Sequence, residues 1–468
     1  MKRSIFSLLL LMLVASACDR KDNPDTPEAE RYYANTFAYN VLKTYYLWVD
    51  EASVSSKMAD WSVKADPMEK VASVLYSADK WTSLMEDYSA FESSVTGSGK
   101  TFGLDFDLYY ANQERTKVCA IVTYTYADSP ARAAGLKRGD DIRQIDGQEM
   151  LKENYKTLLG KLYSASSIEL GLNDGRSVKM ASVQMYENPV HTAITLEHGG
   201  KKVGYLHFTN FTLDACKDLE TAFAQFKADG IRDLILDLRY NSGGYVTTAT
   251  ALASMIAPSQ VVSEKKVFIK DVYNKFLTDN LDDKETFFQS EISYKSNLNG
   301  KDVTVHPLEV NPGIGHLWVL VSGDSASASE SLICGLKPYM DVTLIGENTY
   351  GKYCGGILIK AKDWYELLEK EKAAGDIDCK AAIAAVPTWG MYVITSRYAD
   401  CNGQTLSMPD GIAPDLQMRD TPADGVPLGD PAEALLAAAL DATKAAPALR
   451  PEPRPAPIRR PGFGVLLH

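Results

Sequence analysis

Five serines fall within ten residues in SGDSASASES, residues 322–331 (Ser322, Ser325, Ser327, Ser329, Ser331), between two apolar stretches. The pattern predicts a strand ending near Ser322, a turn at Gly323-Asp324 and a helix that starts among the serines. Ser327-Ala-Ser-Glu330 fits a capping box, a purely structural reading. The same geometry suits a nucleophile, because a hydroxyl at a helix start meets free backbone N–H groups and the positive end of a dipole. Such donors stabilise the oxyanion of acyl transfer. A serine nucleophile still needs a base. His198 reads as a turn residue, His306 lies in a polar stretch, His316 opens a strand and His207 occupies an ordinary strand position. Lys352, in TYGKYCGG, follows the predicted strand VTLIGE on a glycine-flanked loop. Strand–serine–helix–strand–lysine brings both residues to one sheet edge. To act as a base there, the lysine must lose about three pH units from its ordinary value, a cost of roughly 4 kcal/mol that burial can supply.

The elements around these residues divide the chain. In YYANTFAYNVLKTYYLW, Tyr33, Phe37, Val41 and Tyr45 recur at helical spacing and Leu42 and Tyr46 widen the stripe, so residues 31–95 are expected to be a helical domain. Its aromatic face either closes a small core or forms a homodimer surface. Near residue 100 short strands and turns begin. TGSGKTFG there is no phosphate-binding loop, since Ser94 stands where a glycine is needed and the alternating FGLDFDLYY follows where a helix should. From about 191 strands and helices alternate, as in an α/β domain. Residues 265 to about 312 read as a polar excursion from its core. LGDPAEALLAAAL reads as a closing helix capped by Asp430.

Two resemblances follow from these motifs. SPARAAGLKRGDDIRQIDG, after the apolar strand 118–123, resembles the PDZ domain, and the likeness covers roughly residues 96–190. It implies that a peptide C-terminus adds as a strand, its carboxylate meeting the loop Phe102-Gly103-Leu104. SASASE with GENTYGK resembles the paired signature of the C-terminal processing (tail-specific) serine peptidases, whose fold is related to crotonase and ClpP and carries an inserted PDZ domain. That resemblance implies the middle serine of the triplet, Ser327, as nucleophile and Lys352, twenty-five residues later, as base. The family's DLRxNxGG stretch is present as Asp237, Leu238, Arg239, Asn241, Gly243 and Gly244, and DGIAPD (410–415) and Arg397-Tyr398 also match. The resemblance implies an oxyanion hole from Gly243 or Gly244 with Ala328, and supporting roles for Asp237, Arg239 and Glu330. Many members carry a glutamine four residues after the lysine, where it orients the amine; here that position is Gly356.

The expected architecture is therefore an α/β multidomain chain: an N-terminal helical domain, a mostly β PDZ domain (96–190) and a crotonase/ClpP-like α/β peptidase domain (191–445). Lys2 and Arg3, the apolar run to Val14 and ASAC read as a lipoprotein signal peptide (1–17) with Cys18 lipidated, the alternative being plain secretion with cleavage nearby, since Ala15 stands where leucine is commoner; a tether over 18–30 and a proline-rich tail over 446–468 are also expected. The lipoprotein reading implies a cell-envelope protein, lipid-anchored to a membrane on its periplasmic side or at the cell surface. A net charge of −12 excludes a nonspecific nucleic-acid binder. The six cysteines besides Cys18 match no zinc spacing, and Cys379 with Cys401 is the one pair suggested as a disulfide. No metal or other cofactor is expected. The function implied is a serine endopeptidase acting on polypeptides with accessible C-termini. The rival readings are a catalytically weak or inactive PDZ-based peptide binder and a crotonase-like acyl-CoA enzyme.

Overall fold

The computed structural model describes residues 26–443 apart from 90, 93–96 and 407–409, together with 466 and 467. The expected signal peptide, Cys18 and most of the tether and tail lie outside the described residues. Helix α1 (Pro27–Tyr45) starts inside the expected tether, because Thr26 Oγ1 accepts the Ala29 N–H at 3.2 Å and Pro27 fits the first helical position. Its aromatic stripe is buried as the spacing predicts. With α2 (Ala52–Ala59) and α3 (Pro67–Val74) it closes no core of its own. Phe37 instead packs edge-on against Trp364 with centroids 5.7 Å apart, and the Tyr365 hydroxyl donates to the Tyr33 carbonyl at 2.7 Å. The stripe is thus spent within the chain. The short strand β1 (Ser83–Met85) pairs antiparallel with residues 390–392.

Residues 98–186 form a β-rich unit. Its outer strands, β2 (Ser98–Thr101) and β9 (Val183–Tyr186), pair with each other. Between them lie β3 (Leu104–Tyr110), β4 (Val118–Thr125), β5 (Asp141–Ile145), β6 (Gln148–Glu149), β7 (Ser167–Leu172) and β8 (Ser177–Ala181), in the antiparallel order β3-β4-β5-β7-β8 with β6 folded onto β5. The unit has its own core, including Phe106, Ile142, Leu158 and Leu170. Ser129 caps the helix Pro130–Ala133 through the Arg132 N–H at 3.1 Å. Strand β3 lies at the sheet's edge.

The remaining strands are β10 (Val190–His198), β11 (Lys201–Phe208), β12 (Asp233–Asp237), β13 (Gly244–Tyr245), β14 (Val267–Tyr273), β15 (Glu285–Phe287), β16 (Ile292–Lys295), β17 (Asp302–Val305), β18 (His316–Val321), β19 (Asp341–Gly346), β20 (Cys354–Lys360), β21 (Gly390–Ala399), β22 (Leu416–Gln417) and β23 (Leu466–Leu467). The main sheet has the order β10-β11-β12-β18-β19-β22, parallel from β11 onward. Alternate residues serve its two faces, as strand pleating requires. Leu234, Leu236, Leu317 and Val319 meet the core that holds the helices Ala215–Asp229, Val246–Ile256 and Ala328–Leu336. Ile235, Trp318 and Leu320 meet the helix Ala434–Ala442. A second sheet runs β1-β21-β14-β15, with β20 also on β21.

Three expectations change. The stretch 265–312 is no simple excursion, because β14 enters the second sheet and buries Phe268 and Ile269 completely. The last helix is capped by Glu433, whose carboxylate accepts the Leu436 N–H at 2.9 Å. Asp430 closes a turn on the Ala432 N–H instead. All six described cysteines are free thiols. Cys379 is buried in the core shared with α1, whereas Cys401 lies in the turn after β21, so they form no disulfide.

Candidate active site

Three neighbouring parallel strands, β12, β18 and β19, end at the same sheet edge. Carboxyl ends of parallel strands are where α/β sheets place their sites. These three deliver, in order, the loop 238–244, the serine run and the loop that carries Lys352.

Ser327 is the N-cap of the helix Ala328–Leu336 and is fully buried. Its backbone has φ 59° and ψ −109°, a strained conformation for a residue with a side chain. The strain is held by bonds on both sides. Ala326 N–H donates to the Asn241 carbonyl at 3.1 Å, and Ser327 N–H to Glu330 Oε2 at 2.9 Å. The neighbouring serines do not cap the helix. Ser325 Oγ donates to the Leu238 carbonyl at 2.8 Å and Ser329 Oγ to the Asn241 carbonyl at 3.0 Å, which lashes the serine run to the glycine loop. Ser327 Oγ has no hydrogen-bond partner.

Gly243 packs directly on the serine: a Cβ there would lie 2.8 Å from Ser327 Cβ, and its φ of 110° favours glycine. Of the glycines expected to offer an oxyanion donor, Gly243 gives its N–H to Asn241 Oδ1 at 2.9 Å. Gly244 is therefore the loop's candidate, with Ala328 at the start of the helix. Beside them β13 pairs in parallel with β23, Gly244 opposite Leu466 and Tyr245 opposite Leu467, so an extended segment lies along this edge.

Lys352 is fully buried too, and its amine has no hydrogen-bond partner. Nζ stands 5.3 Å from the Tyr392 ring centroid and 5.7 Å from that of Trp81. Burial pulls it down from 10.5 to about 8, against the opposing fields of Cys354, Asp79 and Glu330. Ser327 and Lys352 share no hydrogen bond in this structure; catalytic bonds are often loose before substrate binds.

Glu330 joins the two loops. Its carboxylate accepts from Thr349 Oγ1 (2.6 Å), Gly351 N–H (2.8 Å), Ser327 N–H and Lys352 N–H (2.9 Å each). Burial pushes this carboxyl up while the four donors oppose that. The DGIAPD stretch acts on the same loop, Ile412 N–H donating to Thr349 Oγ1 at 2.7 Å. Asp237 and Arg239 lie one layer away. Burial disfavours the Asp237 charge, but the Arg239 guanidinium, at 2.7 Å, holds its carboxyl well below the usual range. Arg239 also reaches Glu433 (2.8 Å) and Asp420 (2.9 Å), and Arg138 of the β-rich unit binds Asp420 at 2.6 Å. Arg397 turns away, to the Leu406 carbonyl at 3.2 Å.

The loop Phe102-Gly103-Leu104 leads into edge strand β3, with Gly103 N–H donating to Thr101 Oγ1 at 2.9 Å. His207 is buried among Tyr124, His191 and Tyr240, in keeping with a packing role. Sequence reasoning missed Asp79, Trp81, Tyr392, Asp420, Glu433 and Arg138. Arg138 and Glu433 lie inside stretches whose patterns were read for turns and caps, and nothing local in any of the six signals a contact with the site. Among the described residues, no cluster of His, Cys, Asp or Glu could hold a metal, and no helix is long and apolar enough to cross a membrane.

Comparison with known proteins agrees with this geometry. Residues 202–418 match the profile of peptidase family S41. A carboxyl-terminal-processing protease of Synechocystis sp. is 28% identical over 275 residues, covering 57% of this chain and 56% of that protein. One of the same description from Picosynechococcus sp. is 27% identical over 283 residues, covering 58% and 60%. The chain therefore spans little more than half the length of these relatives. A solved Bacteroides fragilis structure assigned to the S41 proteases superposes over 87% of this chain and 97% of its own with a TM-score of 0.65 at 21% identity, so the fold is shared. Over residues 202–418, which hold a buried serine, a buried lysine and a glycine loop at one sheet edge, the chain is similar to peptidase family S41.

Proposed function

We propose that the chain is a serine endopeptidase that cleaves polypeptides near their C-terminal tails through Ser327 and Lys352. The observation that carries this is the convergence of a strained serine at a helix start and an amine held near neutrality on adjacent loops of one sheet. Lys352, neutral, takes the Oγ proton as Ser327 attacks the carbonyl carbon. The Gly244 and Ala328 N–H groups receive the oxyanion. The ammonium returns its proton to the leaving amine, and water hydrolyses the acyl-enzyme. A turn of the Ser327 side chain toward Nζ precedes the first transfer. Asp237, Arg239 and Glu330 shape the site without touching the reacting atoms.

The β-rich unit is read as a PDZ domain spanning about 96–190, with edge strand β3 receiving a substrate tail beside Phe102-Gly103-Leu104. Residues 31–95 are the helical part, and 191–445 the catalytic part. Lipidation at Cys18 would place the enzyme on an envelope membrane. The test is cleavage of an unfolded protein with a free apolar C-terminus by the full chain, beside Ser327→Ala and Lys352→Ala. Cleavage by the wild type alone supports the dyad. A folded wild type that binds the tail without cutting it supports the peptide-binding reading.

A further inference from the structure

The lysine of the dyad has no side chain at position 356 to orient it. A Cβ at Gly356 would lie 2.5 Å from the Val393 carbonyl oxygen and 2.9 Å from Tyr392 Oη, so no residue larger than glycine fits. Part of what surrounds the amine comes from the N-terminal helical part. The turn after α3 carries Asp79 and Trp81, and the pairing of β1 with β21 fixes that turn against Tyr392. Asp79 Oδ1 accepts the N–H groups of Trp81 (2.9 Å) and Thr82 (3.1 Å). Its other oxygen, Oδ2, is buried and has no hydrogen-bond partner, and neither has Lys352 Nζ. Buried charges left unpaired are costly, and the field of Asp79 acts on the Lys352 amine, so the two call for a joint role.

The groups around the amine are few. Cys354 follows on the same loop, and burial pushes its thiol up to about 12, so it stays neutral. Arg397 acts on Cys354 from β21. The Tyr46 phenol, from α1's end, is driven well above its ordinary value by burial and by the Asp79 carboxylate beside it, and so remains uncharged. The oxygens of Glu330 are spent on four donors. Asp79 is left as the carboxylate whose field reaches the amine and whose Oδ2 makes no hydrogen bond, with the neutral Tyr46 phenol beside it.

We propose that Asp79, far outside the segment matching family S41, is the positioning residue of Lys352, holding the ammonium formed on proton transfer from Ser327 inside a box walled by Trp81 and Tyr392. Lys352 gains one proton from Oγ and later passes it to the leaving amine; Asp79 takes no part in the transfer. A fixed anion behind a base stabilises the cation that forms on proton transfer. The inference rests on the reading of Lys352 as the base.

The test replaces Asp79 by Asn, which keeps an acceptor for the Trp81 and Thr82 N–H groups and removes only the charge. Lys352 is titrated in the full chain carrying 13Cε-lysine, with its resonance assigned by Lys352→Met, and kcat and KM are measured across pH in parallel. In Asp79→Asn the Lys352 midpoint should fall by on the order of 1 pH unit. The acidic limb of the kcat profile should follow it, and kcat should drop about 10-fold, part of what a positioned base contributes, with KM unchanged. Asp60→Asn, an exposed change on the same helical part, should move nothing. A Lys352 midpoint unchanged in Asp79→Asn overturns the proposal. If Asp79→Asn does not fold, Asp79→Ser retains an acceptor oxygen for the same turn and is read in the same way. If the wild type does not cleave, the endopeptidase reading fails, while the titration still decides whether Asp79 holds Lys352.

Discussion

The backbone N–H groups of Ser327 and Lys352 donate to a single oxygen, Glu330 Oε2, each at 2.9 Å. The two expected catalytic residues are thus set by one buried carboxylate before any side-chain contact between them. Glu330 is at once the third residue of the nucleophile's helix and the anchor of the lysine loop. Glutamine offers one acceptor oxygen where four donors converge, and its amide would face N–H groups. Glu330→Gln should therefore cost about 2–4 kcal/mol in urea unfolding, the sum of one or two unsatisfied buried donors. It should also reduce cleavage at least 100-fold at temperatures where the variant stays folded. Full activity in Glu330→Gln would show that the two loops are positioned by other means.

Lys352 fixes the pH dependence. With its amine near 8, the base is protonated below that value and cannot accept the serine proton. Cleavage should rise about tenfold per pH unit up to roughly 8 and level off above it. Stability runs through the same group. The folded value lies below the ordinary 10.5, so charging the buried amine destabilises the fold. That penalty is fully present below about 8 and fades as pH rises from there to about 10.5, because only the unfolded chain still binds the proton. Lys352→Met should thus be inactive yet stabilised by about 3 kcal/mol at pH 7, with the gain shrinking toward pH 10.5. A gain independent of pH would remove the titration argument.

The serine run separates chemistry from structure. Ser325 and Ser329 bind carbonyls of the 238–241 loop, and Ser327 Oγ binds nothing. Ser327→Ala should abolish cleavage, whereas Ser325→Ala and Ser329→Ala should each lose about 1 kcal/mol of stability and retain measurable turnover. Equal losses in all three would remove Ser327 as the nucleophile. A fourth variant reads the strain. At φ 59° and ψ −109°, Ser327→Gly should be about 1 kcal/mol more stable than Ser327→Ala, since glycine adopts this conformation freely.

Much of this was legible in the sequence because its parts are local. The serine run, the DLRYNSGG loop and TYGK each sit within a few residues of a strand end, and a strand end fixes where a short loop goes. The helical stripe from Tyr33 to Tyr46 was equally readable, since period alone sets which face is buried. What it packs on was not: Trp364 and Tyr365 lie on a helix with its own amphipathic pattern, and nothing local couples the two. The same holds for Arg239. Its ion pairs with Asp237 two residues away were open to inspection, but Glu433 and Asp420 reach it only through folding. Asp430, preceding a proline, has the sequence signature of a cap. Glu433 holds that place, its carboxylate facing both the helix and Arg239. Asp79 carried no signal at all, being an acidic turn residue among many.

Gly356 gives the sharpest contrast between resemblance and structure. Strand β20 shifts register against β21 between Gly355 and Gly356, the position at which the resemblance implies an orienting glutamine. At this bulge a side chain would run into the Val393 carbonyl at 2.5 Å and the Tyr392 ring at 2.8 Å. Backbone cannot yield as a flexible side chain would, and Tyr392 is itself a wall of the Lys352 box. Gly356→Gln should therefore destabilise the protein by about 1–3 kcal/mol, as overpacking does. By displacing Tyr392 it should lower kcat as well. Pairing Gly356→Gln with Tyr392→Ala removes one clash but leaves Val393, so stability should recover only in part and activity not at all. Higher kcat in Gly356→Gln, with the fold intact, would mean that glutamine can reach Lys352 here and that the aromatic box is dispensable.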